Sequence, residues 1–243
     1  VRYDKSKNFQ GNYSPRVSFV YSAGEKREHN FRGSFQTGFR NPTTQDQYIG
    51  FNVGNAVLIG SAPENLDRYS ETLPVNTAAG QLFAGGTTSV MTGQNAYYNS
   101  YTAQSVTAFA ALAATNPIAA AALLKKTNVD LVKPETVKAI ELGYRGQYKG
   151  FSYDLNGYYN IYNDFIGNLT VVAPLYGTAQ DAPSLTAGPS DAGFQSVHAL
   201  TNGNTRAYQL YTNTDVEIKS LGFGFGIAKK VYKNFELSAN YNY

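Results

Sequence analysis

The sequence of 243 residues predicts an all-β fold: part of a large antiparallel transmembrane β-barrel with long extracellular loops, the first of which contains short helices. Three observations predict it. Apolar and polar residues alternate with period two over runs of about 10 to 13 residues, the length a tilted strand needs to cross a bilayer. The chain holds 20 Tyr and 14 Phe but no Trp and no Cys; Tyr and Phe favour strands, and Tyr suits the boundary between lipid and water. Short and long connections exchange regularly, as they do in outer-membrane barrels with short periplasmic turns and long outer loops.

Along the chain, residues 1–4 read as a strand remnant, and Val17, Phe19 and Tyr21 form the apolar parity of a strand. The polar stretch 23–30 connects it to the next, where Phe31, Phe35 and Phe39 oppose Arg32, Ser34, Gln36 and Arg40. A long connection, 41–134, follows. Within it, residues 106–124 carry no charge but are mostly Ala, and Asn116-Pro117 interrupts them. A spanning helix needs about 20 strongly apolar residues. Two short helices are expected instead, the second capped by Asn116, with Pro117 in its first turn and Lys125 and Lys126 after its end.

The clearest strand is 136–148, where Ile140, Leu142, Tyr144 and Tyr148 alternate with Glu141, Gly143, Arg145 and Gln147. After the two-residue turn Lys149-Gly150, Phe151, Tyr153, Leu155 and Ile161 alternate with Ser152, Asp154, Asn156 and Asn160, completing a hairpin. The apolar set is expected to meet lipid, and Glu141, Arg145, Gln147, Asp154 and Asn156 to face the lumen. A second long connection, 163–206, leads to a strand over 208–228 whose apolar parity changes from Val216 and Ile218 to Leu221, Phe223 and Phe225. The change reads as a β-bulge near Lys219 and Ser220, with a turn as the alternative. A short turn, 229–234, precedes a last strand over 235–243.

Other chemistries fare worse. A net charge of +3 is too small for a nucleic-acid surface. Without Cys there is no disulfide or thiolate metal site. The only histidines, His29 in a short turn and His198 in a long loop, read as solvent-exposed rather than as a triad or metal site. Residues 222–226 (Gly-Phe-Gly-Phe-Gly) lack the Lys and Ser or Thr of a phosphate loop and read as structural. Glu141, Arg145 and Asp154 form a charge ladder on a polar wall, and Lys229, Lys230 and Lys233 read as solvated. In the first long loop, Gln94, Asn95, Tyr97, Tyr98, Asn99 and Tyr101 combine aromatic faces with amides, which suits a sugar or peptide; folding the loop onto itself is the equal alternative. A soluble β-sandwich would also alternate, but its strands usually run about 5 to 6 residues.

Several segments, in order, resemble the TonB-dependent receptor family. They are Ser14-Pro15-Arg16-Val17, Phe39-Arg40-Asn41-Pro42-Thr43, Leu131-Val132-Lys133-Pro134-Glu135 before Ile140-Glu141-Leu142-Gly143, Tyr158-Tyr159-Asn160 with Asp164-Phe165-Ile166, Asn213 ahead of Val216-Glu217-Ile218-Lys219, and Leu237-Ser238-Ala239-Asn240-Tyr241. The resemblance implies an outer-membrane active importer with a barrel of about 22 strands. It implies a plug driven by the TonB-ExbB-ExbD energising complex, and a small solute (glycan, peptide, siderophore or vitamin) captured by outer loops. It implies contact with membrane lipid and lipopolysaccharide, a surface lipoprotein as a further partner, no enzymatic activity and no cofactor. On this reading residues 1–243 are a partial barrel domain lacking the plug and the closing strands, with Val1 in mid-chain, and Glu141, Arg145, Asp154 and Asn156 face the lumen or plug. A passive porin and a soluble surface adhesin or sugar-binding module are the rival readings.

Overall fold

The structure is a computed structural model that describes residues 1–5 and 9–243. In chain order the strands are β1 (Arg2–Asp4), β2 (Asn12–Ser14), β3 (Arg16–Ala23), β4 (His29–Arg40), β5 (Gly50–Asn52), β6 (Val57–Ile59), β7 (Ser70–Pro74), β8 (Thr88–Thr92), β9 (Tyr101–Thr102), β10 (Glu135–Tyr148), β11 (Phe151–Asn163), β12 (Ile166–Pro174), β13 (Thr205–Asn213), β14 (Ile218–Tyr232) and β15 (Phe235–Asn242). They fall into two units: Val1–Asn41 with Lys133–Phe165 and Thr214–Tyr243, and Pro42–Val132 with Ile166–Asn213.

The first unit is an antiparallel sheet of six strands in the order β15-β14-β11-β10-β4-β3, beside the small β1-β2 pair. Its register turns alternation within strands into continuous rows across them. One row runs Tyr21, Phe31, Tyr144, Leu155, Phe225, Tyr241, apolar or aromatic at every position. The adjacent row runs Ser22, Asn30, Arg145, Asp154, Gly226, Asn240 on the opposite face. The β10-β11 hairpin sets this register. Its two turn residues, Lys149 and Gly150, have φ of 48° and 80°, both positive, as a two-residue turn matched to strand twist requires.

Nothing within this unit covers the apolar face. Among the described residues, Ala139 is the unit's only buried apolar side chain, while Leu142 is 62% exposed and Leu221 69%. A β-sandwich would bury such a face against a second sheet. The sheet therefore has two chemically distinct faces and no core of its own.

The second unit is the opposite case. Its main sheet has the order β5-β6-β13-β12-β9. β6 and β13 run parallel, and the other pairs are antiparallel. Strands β5, β6 and β9 come from the first long connection and β12 and β13 from the second, so the two connections share one sheet. Val57, Ile59, Leu66, Met91, Tyr97, Val171, Tyr208 and Leu210 form its core. Tyr101, Phe109, Ala120, Leu124 and Val197 form a second cluster beneath the helices Ala103–Ala113, Pro117–Ala121 and Ala192–Thr201. Asn116 caps the middle helix as its sequence implies, accepting from the Ala119 N–H at 3.0 Å. The third helix begins at Asp191, whose carboxylate accepts from Phe194 N–H at 2.8 Å.

One element differs from expectation. Residues 208–228 are not one strand with a bulge near Lys219. β13 ends at Asn213, and the break spans residues 214–217, where Thr214 N–H donates to Phe165 O at 2.8 Å. Tyr208 and Leu210 are fully buried in the second unit, so their parity follows a packed core, whereas that of Leu221 and Phe223 follows the uncovered face. The second long connection accordingly runs over 164–217 rather than 163–206. A bulge does occur further on, between Lys230 and Tyr232 where β14 meets β15.

The two faces can be tested by substitution. Leu142 lies on the apolar face and Gln147 on the polar parity of the same strand. On refolding the full-length polypeptide into lipid, Leu142→Arg should cost about 2 to 4 kcal/mol and Gln147→Arg about 0 to 1; equal losses would mean that both faces are buried alike.

Candidate functional site

Two sites were open to the sequence, the polar face of the six-stranded sheet and the aromatic-amide cluster of the first long connection. Alternation and register place Glu141, Arg145, Asp154 and Asn156 together on the polar face, on neighbouring strands. Arg145 Nε donates to Asp154 Oδ2 at 2.9 Å, and Arg32 Nη2 reaches Asp154 Oδ1 at 3.3 Å. Ser34 Oγ donates to Glu141 Oε2 at 3.4 Å. Arg32 is the member of this group that sequence reasoning missed. Its parity on β4 was legible, but its place beside Asp154 depends on cross-strand register. Gly143, directly opposite in that register, leaves the space its side chain crosses, and a Cβ there would collide with the Arg32 guanidinium stem. Two guanidiniums share the Asp154 carboxylate, and Glu141 balances the second of them, so the cluster is a mixed-charge surface in reach of water; each exposed pair is worth only about 0.2 to 1 kcal/mol.

The aromatic-amide cluster does not form one surface. Tyr97 and Tyr101 are fully buried. The Tyr97 hydroxyl donates to backbone oxygens, Tyr211 O at 2.8 Å and Ile59 O at 3.2 Å, and that of Tyr101 pairs with Ser196 Oγ at 2.6 Å. Asn95 completes a capping box with Thr92 at the start of the helix Gly93–Tyr98. Asn99 bridges Gly177 O and Ala179 N–H, at 3.1 and 2.7 Å. Gln94 is exposed and donates to Asp67 at 2.7 Å. Tyr98 is exposed as well. The self-folding alternative thus accounts for four of the six residues, because this segment had to build its own core.

A second polar cluster had no signal in the sequence. Glu71 on β7 accepts from Arg206 Nε and from the Tyr208 hydroxyl, each at 3.0 Å, tying the β7-β8 hairpin to β13. Burial raises the phenols of Tyr97 and Tyr101 above their ordinary value, and burial followed by the Glu71 carboxylate raises those of Tyr69 and Tyr208.

The histidines, expected from the sequence to be exposed to solvent, are half-buried and partnered instead. His29 is the first residue of β4 and pairs through Nδ1 with the Tyr144 hydroxyl at 2.8 Å; His198 pairs likewise with Tyr176 at 2.8 Å and meets the Phe83 ring edge-on. No group of three or more potential metal ligands occurs among the described residues. No helix among the described residues is long and apolar enough to cross a membrane, which says nothing of strands.

The sequence matches the family described as "TonB dependent receptor-like, beta-barrel" over residues 1–243. The chain belongs to the TonB-dependent receptor β-barrel family. Its open six-stranded sheet is a segment of that barrel fold. Two solved structures are similar over 99% of the chain: the siderophore receptor PirA from Pseudomonas aeruginosa, at 13% identity and a TM-score of 0.47, and the siderophore receptor PirA from Acinetobacter baumannii, at 12% and 0.45. The chain spans 29% and 24% of their lengths. No curated protein matches it.

In this TonB-dependent receptor domain the buried phenols set an alkaline limit. A raised folded-state pKa means that the fold favours the neutral phenol, so this stability is complete below the unfolded value near 10 and is lost as pH rises through the higher folded values. In an ultraviolet titration of tyrosinate, Tyr69, Tyr97, Tyr101 and Tyr208 should ionise only as the loop unit unfolds, and Tyr97→Phe should remove part of that late component. Reversible ionisation of every tyrosine near pH 10 would contradict this.

Proposed function

We propose that the full-length protein carrying this domain is an active importer of the bacterial outer membrane. The observation that carries the proposal is the uncovered apolar face of a family-assigned barrel sheet, since strands of 12 to 15 residues with such a face call for lipid as their solvent. Membrane lipid covers the row from Tyr21 to Tyr241, and lipopolysaccharide lies at its outer edge. The polar face, with Glu141, Arg145, Asp154 and Asn156, lines the passage and meets a plug that the TonB-ExbB-ExbD complex moves. The domain is not an enzyme.

Both long connections leave the sheet at one end, where Arg40 stands beside Glu135 and Tyr162 beside Ile218. That end is extracellular, and the loop unit captures the solute there. Gln94 and Tyr98 are accessible for contact, while Asn95, Tyr97, Asn99 and Tyr101 hold the scaffold. The loop unit contains four Lys or Arg against seven Asp or Glu. Arg206 is committed to Glu71, and Arg68 to Tyr48 O and Asn65. That balance favours an uncharged or cationic solute, a glycan or peptide, over an anionic iron chelate, which clustered guanidiniums would hold.

Two measurements test the proposal. Cells expressing the full-length protein should accumulate a neutral oligosaccharide or peptide, and a protonophore should abolish accumulation; uptake that survives the protonophore would identify a passive pore. Protease added to intact cells should cut within residues 42–132 or 166–213 first, and early cleavage at Lys149 or Gly150 would reverse the topology.

A further inference from the structure

The short-turn end of the six-stranded sheet carries cations in an arrangement that the importing activity does not use. Each of its three turns places a basic residue in the left-handed region: Arg27 at φ 55°, Lys149 at 48° and Lys233 at 43°. Gly, Asn and Asp are the residues that accept this conformation cheaply. Strain retained at the same kind of position in three turns is a reason to look for a role.

The side chains point to one. Lys149 Nζ lies over the Tyr148 ring at 5.2 Å, Lys229 over Phe151 at 4.2 Å, and Lys233 over Tyr232 at 5.3 Å. Lys229 pairs in register with Phe151 and Leu237, on the apolar parity, and is half-buried there. Lys229 is therefore not simply solvated, while Lys149 and Lys233 are exposed, each beside an exposed tyrosine ring. At the opposite end of the sheet three cations are neutralised within the protein, Arg40 by Glu135 at 2.8 Å, Lys133 by Asp164 at 2.8 Å and Lys219 by Glu217 at 3.0 Å, while Lys138, in the row of Lys219, has no ion pair among the described residues. Among the described residues, no carboxylate lies within ion-pair distance of Lys149, Lys229 or Lys233.

We propose that Lys149, Lys229 and Lys233, each over an aromatic ring, form a docking surface for the phosphate headgroups of anionic phospholipid in the leaflet that meets the short turns. A cation on a lipid-facing surface is tolerated where its apolar stem lies along the wall and its ammonium reaches the headgroup region. A neighbouring aromatic ring holds the cation at that depth. The phosphodiester supplies the missing negative charge, and the Tyr148 and Tyr232 hydroxyls add donors. The inference rests on the outer-membrane reading above.

The test uses the full-length protein in phosphatidylcholine vesicles doped with a headgroup-photoactivatable phosphatidylglycerol or phosphatidylcholine. Crosslinks are read on the peptides that contain Phe151 and Tyr232. Phosphatidylglycerol should label them at least about threefold more than phosphatidylcholine. In a variant with Lys149→Asn, Lys229→Gln and Lys233→Asn the ratio should fall to about one, while Lys125→Asn with Lys126→Asn leaves it unchanged. Asn suits both left-handed positions, so the turns of the triple variant still fold. An unchanged ratio in that variant overturns the proposal. So does displacement of the label by millimolar inorganic phosphate, which would mark a small-anion site rather than a lipid surface. A wild-type protein that does not float with the vesicles at all would overturn the membrane reading itself.

Discussion

Everything in the six-stranded sheet depends on the register of the β10-β11 hairpin. Side chains alternate between faces with a period of two, so a slip by one residue on one strand exchanges its entire face. The Lys149-Gly150 turn pairs Tyr148 with Phe151, and with that pairing Arg145 meets Asp154 and Tyr144 meets Leu155. β4 and β14 extend the same rows on either side. Displacing β11 by one residue would bring Asp154 into the row of Tyr144 and Phe225. The cost of a charge on that face is what specifies the pairing.

The two units obey different solvents. The sheet has almost no buried apolar residue and needs an external apolar phase. The loop unit must satisfy the ordinary requirement of a protein in water and bury a core of its own. It meets that requirement by drawing strands from both connections into one sheet, and its buried polar groups are mostly hydrogen-bonded rather than excluded, the Thr127 hydroxyl being an exception. Asn65 donates to Ile49 O and Gly60 O, each at 2.9 Å, and Asn204 accepts from Asn76 N–H at 2.8 Å. Connections built this way are folded structures with a core of their own, not tethers.

The polar face shows how small residues serve electrostatics. Gly143 admits the Arg32 side chain, and Gly222 and Gly224 lie beneath Tyr158 and Asn156. Side chains can lie along the wall instead of standing off it, so two guanidiniums reach Asp154 from different strands. The glycine run 222–226 is thus structural in the sense its sequence implied, and it clears space for polar neighbours, Tyr158 and Asn156 foremost.

By itself the sequence determined the strands of the six-stranded sheet, their two faces, the hairpin turn and the alternation of short and long connections, because each of these follows from period-two patterning and turn chemistry carried by neighbouring residues. Ile140 to Tyr148 could be assigned to a face without any partner in view. Only the tertiary structure decided what lies between. Tyr208 and Leu210 alternate like barrel residues, yet their partners are Val57 and Ile59, about 150 residues away in sequence. Tyr97 and Tyr101 read equally well as contact or core residues, and their burial arises from strands contributed by the other connection. Arg32 joined Arg145 and Asp154 through cross-strand register. Local pattern specifies which side of a strand a residue occupies; which distant segment covers that side is a property of packing, and no local pattern contains it.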